Sequence, residues 1–282
     1  MKWRLMCCAK WKPAALAFGC ALAAVAAQYE NPAWSPDGKS IVFVMKTETS
    51  DWNIYRASVD GSDVRQLTRG GAWDPAWSPD GKSIAFVSMV EGKRQISAMS
   101  AEGLNVRLLT SGPAEHFHPA FSPDGNRMAL TSVENGASRI VVMDSGGSKP
   151  KPVTPLDQRS RWPAWSPDGK RIAYFVQGPV SEIWQVDVDT LERAKLFDSG
   201  LSATTLDWSV DRKQIAFTRG VGKEAGIYVL NLETHQIRRV LGADQAPGQP
   251  RYSPDGTQIL FSTVTGLAVL DLRSSSVHAL LH

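Results

Sequence analysis

The sequence has little cysteine, little net charge and no long apolar run. Its three Cys, at positions 7, 8 and 20, all fall in the first 27 of 282 residues. For the rest of the chain this excludes a disulfide framework, a cysteine-ligated metal and a thiol nucleophile. Lys and Arg number 31 against 28 Asp and Glu, and no basic stretch interleaves with aromatics as a nucleic-acid platform would. The apolar stretch from Pro13 to Ala27 is about 15 residues long, short of the roughly 20 that cross a bilayer as a helix. Gly-x-Ser-x-Gly and Walker-type motifs are absent. Gly220-Val221-Gly222 with Gly226 lacks a strand-to-helix setting, and Asp187-Val188-Asp189 lacks the ligand spacing of a calcium loop. After residue 27 no long stretch keeps a helical period. At 43% hydrophobic residues the chain is still too apolar for disorder.

The first 27 residues read as an export signal. Lys2, Arg4, Lys10 and Lys12 have no acidic residue among them, and Ala24-Val25-Ala26-Ala27 offers a small-x-small cleavage site after Ala26 or Ala27. A lipid anchor on Cys20 is the alternative, poorly served by Phe18 before it and the apolar run after it. The mature chain, residues 28–282, is then expected in the periplasm or outside the cell, with no transmembrane span. Its charges are 27 cations against 28 acids, so the basic total belongs to the leader and implies no anionic partner.

What the sequence has in quantity is one phrase. Pro32-Ala33-Trp34-Ser35-Pro36-Asp37-Gly38-Lys39 returns almost unchanged at Pro75 and Pro163, and with Phe121 or Tyr252 for Trp at Pro119 and Pro250. A weaker copy is Leu206-Asp207-Trp208-Ser209-Val210-Asp211-Arg212-Lys213. The aromatic positions 34, 77, 121, 165, 208 and 252 are 43 or 44 residues apart. Each unit reads as four short strands, the second apolar as in Ile84-Ala85-Phe86-Val87 and the fourth as in Val64-Arg65-Gln66-Leu67-Thr68. Four strands per repeat of this length predict an all-β fold, a six-bladed β-propeller of four-stranded antiparallel blades. The blades are expected near residues 31–74, 75–118, 119–162, 163–205, 206–249 and 250–282, with the aromatic of each first strand wedged between neighbours. Ser-Pro-Asp-Gly reads as a hairpin turn whose Asp and Ser bond local backbone; a carboxylate ring or calcium site is the functional alternative. Arg212 stands where the other copies place Gly, so a strained left-handed residue is expected there.

The repeat resembles that of the TolB-type propellers, also found in prolyl-oligopeptidase-family propellers. The Pro-x-Trp-Ser-Pro-Asp-Gly-Lys core, the Asp60-Gly61 turn and the Leu67-Thr68 and Leu109-Thr110 endings carry the likeness over residues 31–282. The resemblance implies a periplasmic component of the Tol-Pal system and, as partner, an envelope protein such as a Pal-like lipoprotein. TolB proteins carry an α/β domain before the propeller. Only Gln28-Tyr29-Glu30 separates the leader from the first copy, so neither that domain nor a hydrolase domain is expected.

Two propeller faces follow from loop lengths. The turns after first strands are uniform, whereas the links between blades vary, and variable loops on a rigid scaffold carry binding. Residues just before each first strand are expected to line the channel mouth on the variable face. The partner-binding candidates are Asn31, Trp73, Asp74, Phe117, His118, Arg161, Trp162 and Gln249, a mix of aromatics, polar groups and Arg that suits an interface. The plainer reading has Trp73 and Trp162 merely cover the blade tops. His116 and His118, two apart on one strand face, could hold a divalent metal with Glu115, Asp74 or Gln249. Oligogalacturonate lyases, which resemble TolB propellers, bind metal through channel His residues. The expectation is therefore a non-catalytic interaction scaffold needing no cofactor. The alternative is a metal-dependent carbohydrate-active enzyme using His116 and His118.

Overall fold

The computed structural model describes residues 27–48, 50–199 and 203–282. The expected export signal, apart from Ala27, lies outside the described residues, and with it Cys7, Cys8 and Cys20. The repeats fold into six separate four-stranded sheets, each an antiparallel meander of strands consecutive in sequence. Blade 1 consists of Gln28–Trp34, Ser40–Lys46, Asn53–Ser58 and Arg65–Gln66. The innermost strands of blades 2 to 6 are Ala72–Trp77, Glu115–Phe121, Ser160–Trp165, Ala203–Trp208 and Gly248–Tyr252. The helical segments among the described residues are three short 3₁₀ turns. The protein is thus an all-β, six-bladed propeller. No described helix is long and apolar enough to cross a membrane.

The second strand of each blade is apolar on both faces because both faces meet a neighbour. Ile41, Val42, Phe43 and Val44 are all fully buried. Val42, Val44 and Ile54 pack on Ile84, Phe86 and Met99 of blade 2, while Ile41 and Phe43 pack on Leu260, Leu267 and Val269 of blade 6, closing the ring. The repeated aromatics are the expected wedges, and three of them also bond to the preceding blade. Trp34 Nε1 donates to the Arg251 carbonyl (3.2 Å), Trp165 to that of Ala120 (3.0 Å) and Trp208 to that of Ala164 (3.2 Å). Trp77 Nε1 is buried with no acceptor among the described residues.

Ser-Pro-Asp-Gly behaves as a self-contained turn. In blade 1 Ser35 Oγ donates to Asp37 Oδ1 (2.6 Å), which also accepts from the Lys39 amide (3.1 Å), and Ser35 Oγ accepts from the Ser40 amide (2.9 Å). The same three bonds recur in blade 4 at Ser166, Asp168, Lys170 and Arg171. The serine bond is the main cause holding the Asp37, Asp80, Asp124, Asp168, Asp211 and Asp255 carboxyls below their usual range. These carboxylates are committed to their own turns. Gly38 sits at φ +68°, and Arg212, its counterpart in blade 5, at +64°.

The outer strands differ from expectation. In blades 1 to 3 they pair over two residues only, Arg65–Gln66, Arg107–Leu108 and Lys151–Pro152, while Arg193–Asp198 in blade 4 spans six. Threonine is the cause. Thr68 Oγ1 accepts from the Ile54 amide (2.9 Å), where a strand would offer a carbonyl. Thr110 and Thr154 do the same for Ile96 and Ile140, both at 2.8 Å. The chain can then turn away without orphaning the amide.

Candidate functional site

The residues expected just before each first strand lie inside it, at a β-bulge. Glu30 pairs with Val44 and Ala33 with Val42, so one extra residue intervenes, and every innermost strand shifts register at the equivalent place. The bulge residues Asn31, Asp74, His118, Trp162, Thr205 and Gln249 all adopt left-handed backbone, with φ from +46° to +53°. Five of the six precede Pro. Proline has no amide to give a ladder, so a bulge on an inner edge strand is where it fits. Six strained non-glycine residues therefore ring one mouth of the channel, and strain of this kind concentrates at functional sites.

Cross-blade bonds hold this ring. Gln249 Oε1 accepts from the Asn31 amide (3.2 Å), Asn31 Nδ2 donates to Asp74 Oδ1 (2.6 Å), and Asp74 Oδ2 accepts from the His118 amide (3.1 Å). The Trp162 amide donates to Thr131 Oγ1 of blade 3 (3.3 Å), and the His118 and Trp162 rings lie 5.1 Å apart. Five of the six blades are thus linked by polar bonds, the last of them by ring contact as well. Burial pushes the His118 imidazole below its ordinary value; Asp74, whose Oδ2 is 3.7 Å from His118 Nε2, opposes this, and Arg161 and Arg251 add to it. Glu30 is raised, first by burial and then by Asp74.

Outside the ring the aromatics align. Arg94 stacks between Trp73 (5.6 Å) and Phe117 (5.4 Å), and Phe117 lies 5.9 Å from His118. Trp73, Arg94, Phe117, His118 and Trp162 form one continuous cation-aromatic stripe over blades 2 to 4. Arg161, beside it, is half-buried and bonds only Ser138 Oγ (3.4 Å) among the described residues. Burial, and then Arg159, lower its pKa; no carboxylate pairs with it among the described residues, which leaves it open to one from outside.

His116 and His118 meet different partners. His116 Nδ1 contacts Gln95 Oε1 (2.9 Å), and that oxygen also accepts from Thr110 Oγ1 (2.8 Å). His118 Nδ1 faces Thr131 Oγ1 at 3.2 Å. The bulge at His118 interrupts the alternation that would align the two rings. Among the described residues no three His, Cys, Asp or Glu side chains are grouped to hold a metal. Burial lowers the His116 imidazole as well.

The channel holds a cavity of about 300 Å³ that opens between the rim residues Asn31, Asp74, His118, Trp162 and Thr205 and continues below them. At the position after the bulge Pro, four blades place Ala33, Ala76, Ala120 and Ala164, whereas blades 5 and 6 place Asp207 and Arg251. Asp207 Oδ2 accepts from the Tyr252 amide (2.8 Å), and Arg251 Nη1 donates to the carbonyls of Leu206 (3.2 Å) and Pro250 (3.4 Å). Burial raises the Asp207 carboxyl, and Arg251 opposes this. Sequence reasoning missed this pair. Its signal was there: copies five and six alone break the Pro-Ala-aromatic phrase.

Residues 21–196 match the family model described as TolB beta propeller domain. A TolB-type protein from Agrobacterium tumefaciens is 24% identical over 77% of this chain and 84% of its own, with a TM-score of 0.68. TolB from Acinetobacter baumannii is 22% identical with a TM-score of 0.72; 91% of this chain aligns, spanning 63% of that one. An oligogalacturonate lyase solved with manganese shares the fold at 15% identity and a TM-score of 0.58, over 86% of this chain and 89% of its own. No curated protein matches the sequence.

Proposed function

We propose a function from one premise: this chain belongs to the TolB beta-propeller domain family. The protein acts as an exported, non-catalytic interaction scaffold that docks a cell-envelope protein on its variable-loop face. The observation that carries this reading is the strained, cross-linked rim, flanked by a partly buried cation-aromatic stripe in which Arg94 is exposed. Rigid aromatic and Arg groups at low conformational cost are what interface anchors require. Asn31, Asp74 and Gln249 fix the rim, Trp73, Phe117, His118 and Trp162 supply apolar area, and Arg161 meets an acidic group of the partner. A Pal-like lipoprotein suits the family likeness, and the leader at residues 1–27 supports export to the periplasm.

The test is capture of partners from envelope extract by the wild type and by a Trp73→Ala/Arg161→Ala variant with an unchanged melting profile. The reading expects one envelope protein retained by the wild type and lost by the variant. Equal recovery would reject the rim as the docking site. The metal-dependent alternative is separated by elemental analysis of the purified protein. A stoichiometric divalent metal, lost together in His116→Ala and His118→Ala, would replace the scaffold reading.

A further inference from the structure

Asp207 and Arg251 are not needed to build a blade. Four of six blades carry Ala at that position and still form a complete four-stranded sheet. Two charged groups placed in a lumen incur desolvation that an alanine does not. They do not close onto each other either: each bonds the backbone of the other's strand. Arg251 therefore keeps most of its five N–H donors, since Nε and Nη2 meet no acceptor among the described residues, and only Nη1 is engaged. A carboxylate has about four acceptor sites, so Asp207 retains capacity beyond the Tyr252 amide.

The remaining walls combine alanines, prolines and aromatic rings with the polar rim residues Asn31, Asp74, His118 and Thr205. Ala33, Ala76, Ala120 and Ala164 leave room opposite the pair, and Pro36 and Pro123 line the far end. About 300 Å³ is at the lower end of ligand pockets. It admits a chain end or a small molecule and excludes a folded surface. A guanidinium fork matches a carboxylate in two-point geometry, and the adjacent Asp207 accepts from a donor next to that carboxylate.

We propose that the lumen between blades 5 and 6 is a receptor for an α-carboxylate whose α-nitrogen carries hydrogen. Arg251 holds the carboxylate and Asp207 accepts from the nitrogen. This chemistry belongs to a free amino acid and to the last residue of a peptide alike. The site shares its cavity with the rim residues Asn31, Asp74, His118, Trp162 and Thr205, but it is argued from Asp207 and Arg251 and not from the protein partner proposed above.

The experiment is calorimetric titration of the exported protein with the twenty free amino acids, then with Gly-Gly-X tripeptides as free acids and as C-terminal amides. Binding of free amino acids assigns a small-molecule receptor; binding of tripeptide acids alone assigns a peptide-end receptor. In either case amidation is expected to weaken binding at least tenfold. Arg251→Ala should do the same, and Arg251→Lys should fall between. Because Arg251→Ala and the Asp207→Ala/Arg251→Ala double variant install what four blades already carry, their melting profiles should stay near the wild type. No binding by any probe, equal binding of acid and amide, or full binding by Arg251→Ala would each overturn the proposal.

Discussion

A left-handed backbone on a residue with a Cβ costs about 1 kcal/mol. Arg212, at φ +64°, meets this cost on an exposed turn with only a 3.5 Å contact to Asp168 in return. Exposed ion pairs of that kind contribute little. Arg212→Gly should therefore raise stability by about 0.5–1 kcal/mol in denaturant unfolding; no gain would mean the turn relaxes differently from its five siblings. His118 offers a second test. Its pKa is lowered by burial, as is that of His116, from a reference of 6.5. Between the lowered value and 6.5 the unfolded chain holds a proton that the folded chain does not, so stability falls as pH drops through that window. Asp207 and Glu30, raised by burial, act in the opposite sense above their reference values of 3.8 and 4.5. His118→Asn suits the left-handed backbone and removes one titrating group. Melting temperatures between pH 5 and 7 should show a shallower acid loss than the wild type, with His116 supplying the remainder. An unchanged slope would mean that His118 does not carry the dependence.

The element that departs most from its sequence pattern is the outer strand. Leu-Thr endings read as strand, yet in blade 2 only Arg107–Leu108 pair, and the Thr110 hydroxyl completes the edge. Thr110 Oγ1 accepts from Ile96 and donates to Gln95 Oε1 (2.8 Å), which in turn meets His116. Thr110→Val keeps the shape and orphans the buried amide, a loss of about 1–3 kcal/mol. Thr110→Ser should recover most of it in the same urea titration; equal loss in both would point to the methyl group. The contrast shows what was readable. Ser-Pro-Asp-Gly turns and apolar second strands depend on neighbours in sequence, so they were legible in full. The bulge was not, because Asn31, Asp74, His118, Trp162, Thr205 and Gln249 share no residue type that signals φ > 0. The Pro after five of them was its one trace. Candidate site residues were picked out by their place in the repeat, whereas the groups that contact them, Thr131, Gln95 and Arg94, come from other strands and left no local mark.

A ring of blades is only as closed as its seam. Within the described residues every blade is built from consecutive strands, so chain connections bridge the interfaces between successive blades but not the one between blades 6 and 1. That seam relies on side chains. Trp34 donates to the Arg251 carbonyl, Gln249 accepts from Asn31, Tyr29 Oη donates to the His282 carbonyl (3.0 Å), and the Tyr29, Ile41 and Phe43 cluster packs on blade 6. Trp165 makes the equivalent bond at the tethered interface of blades 3 and 4. Trp→Phe at either site removes one hydrogen bond of about 1 kcal/mol, but the consequences should differ. Opening at a tethered interface is opposed by the connecting chain, so Trp165→Phe should lower stability without singling out a region. Opening at the seam frees two blades at once, so Trp34→Phe should speed amide exchange several-fold in blades 1 and 6 while blades 3 and 4 keep their protection. Acceleration spread evenly round the ring by Trp34→Phe would show that the propeller opens as one unit and that the seam is no weaker than any other joint.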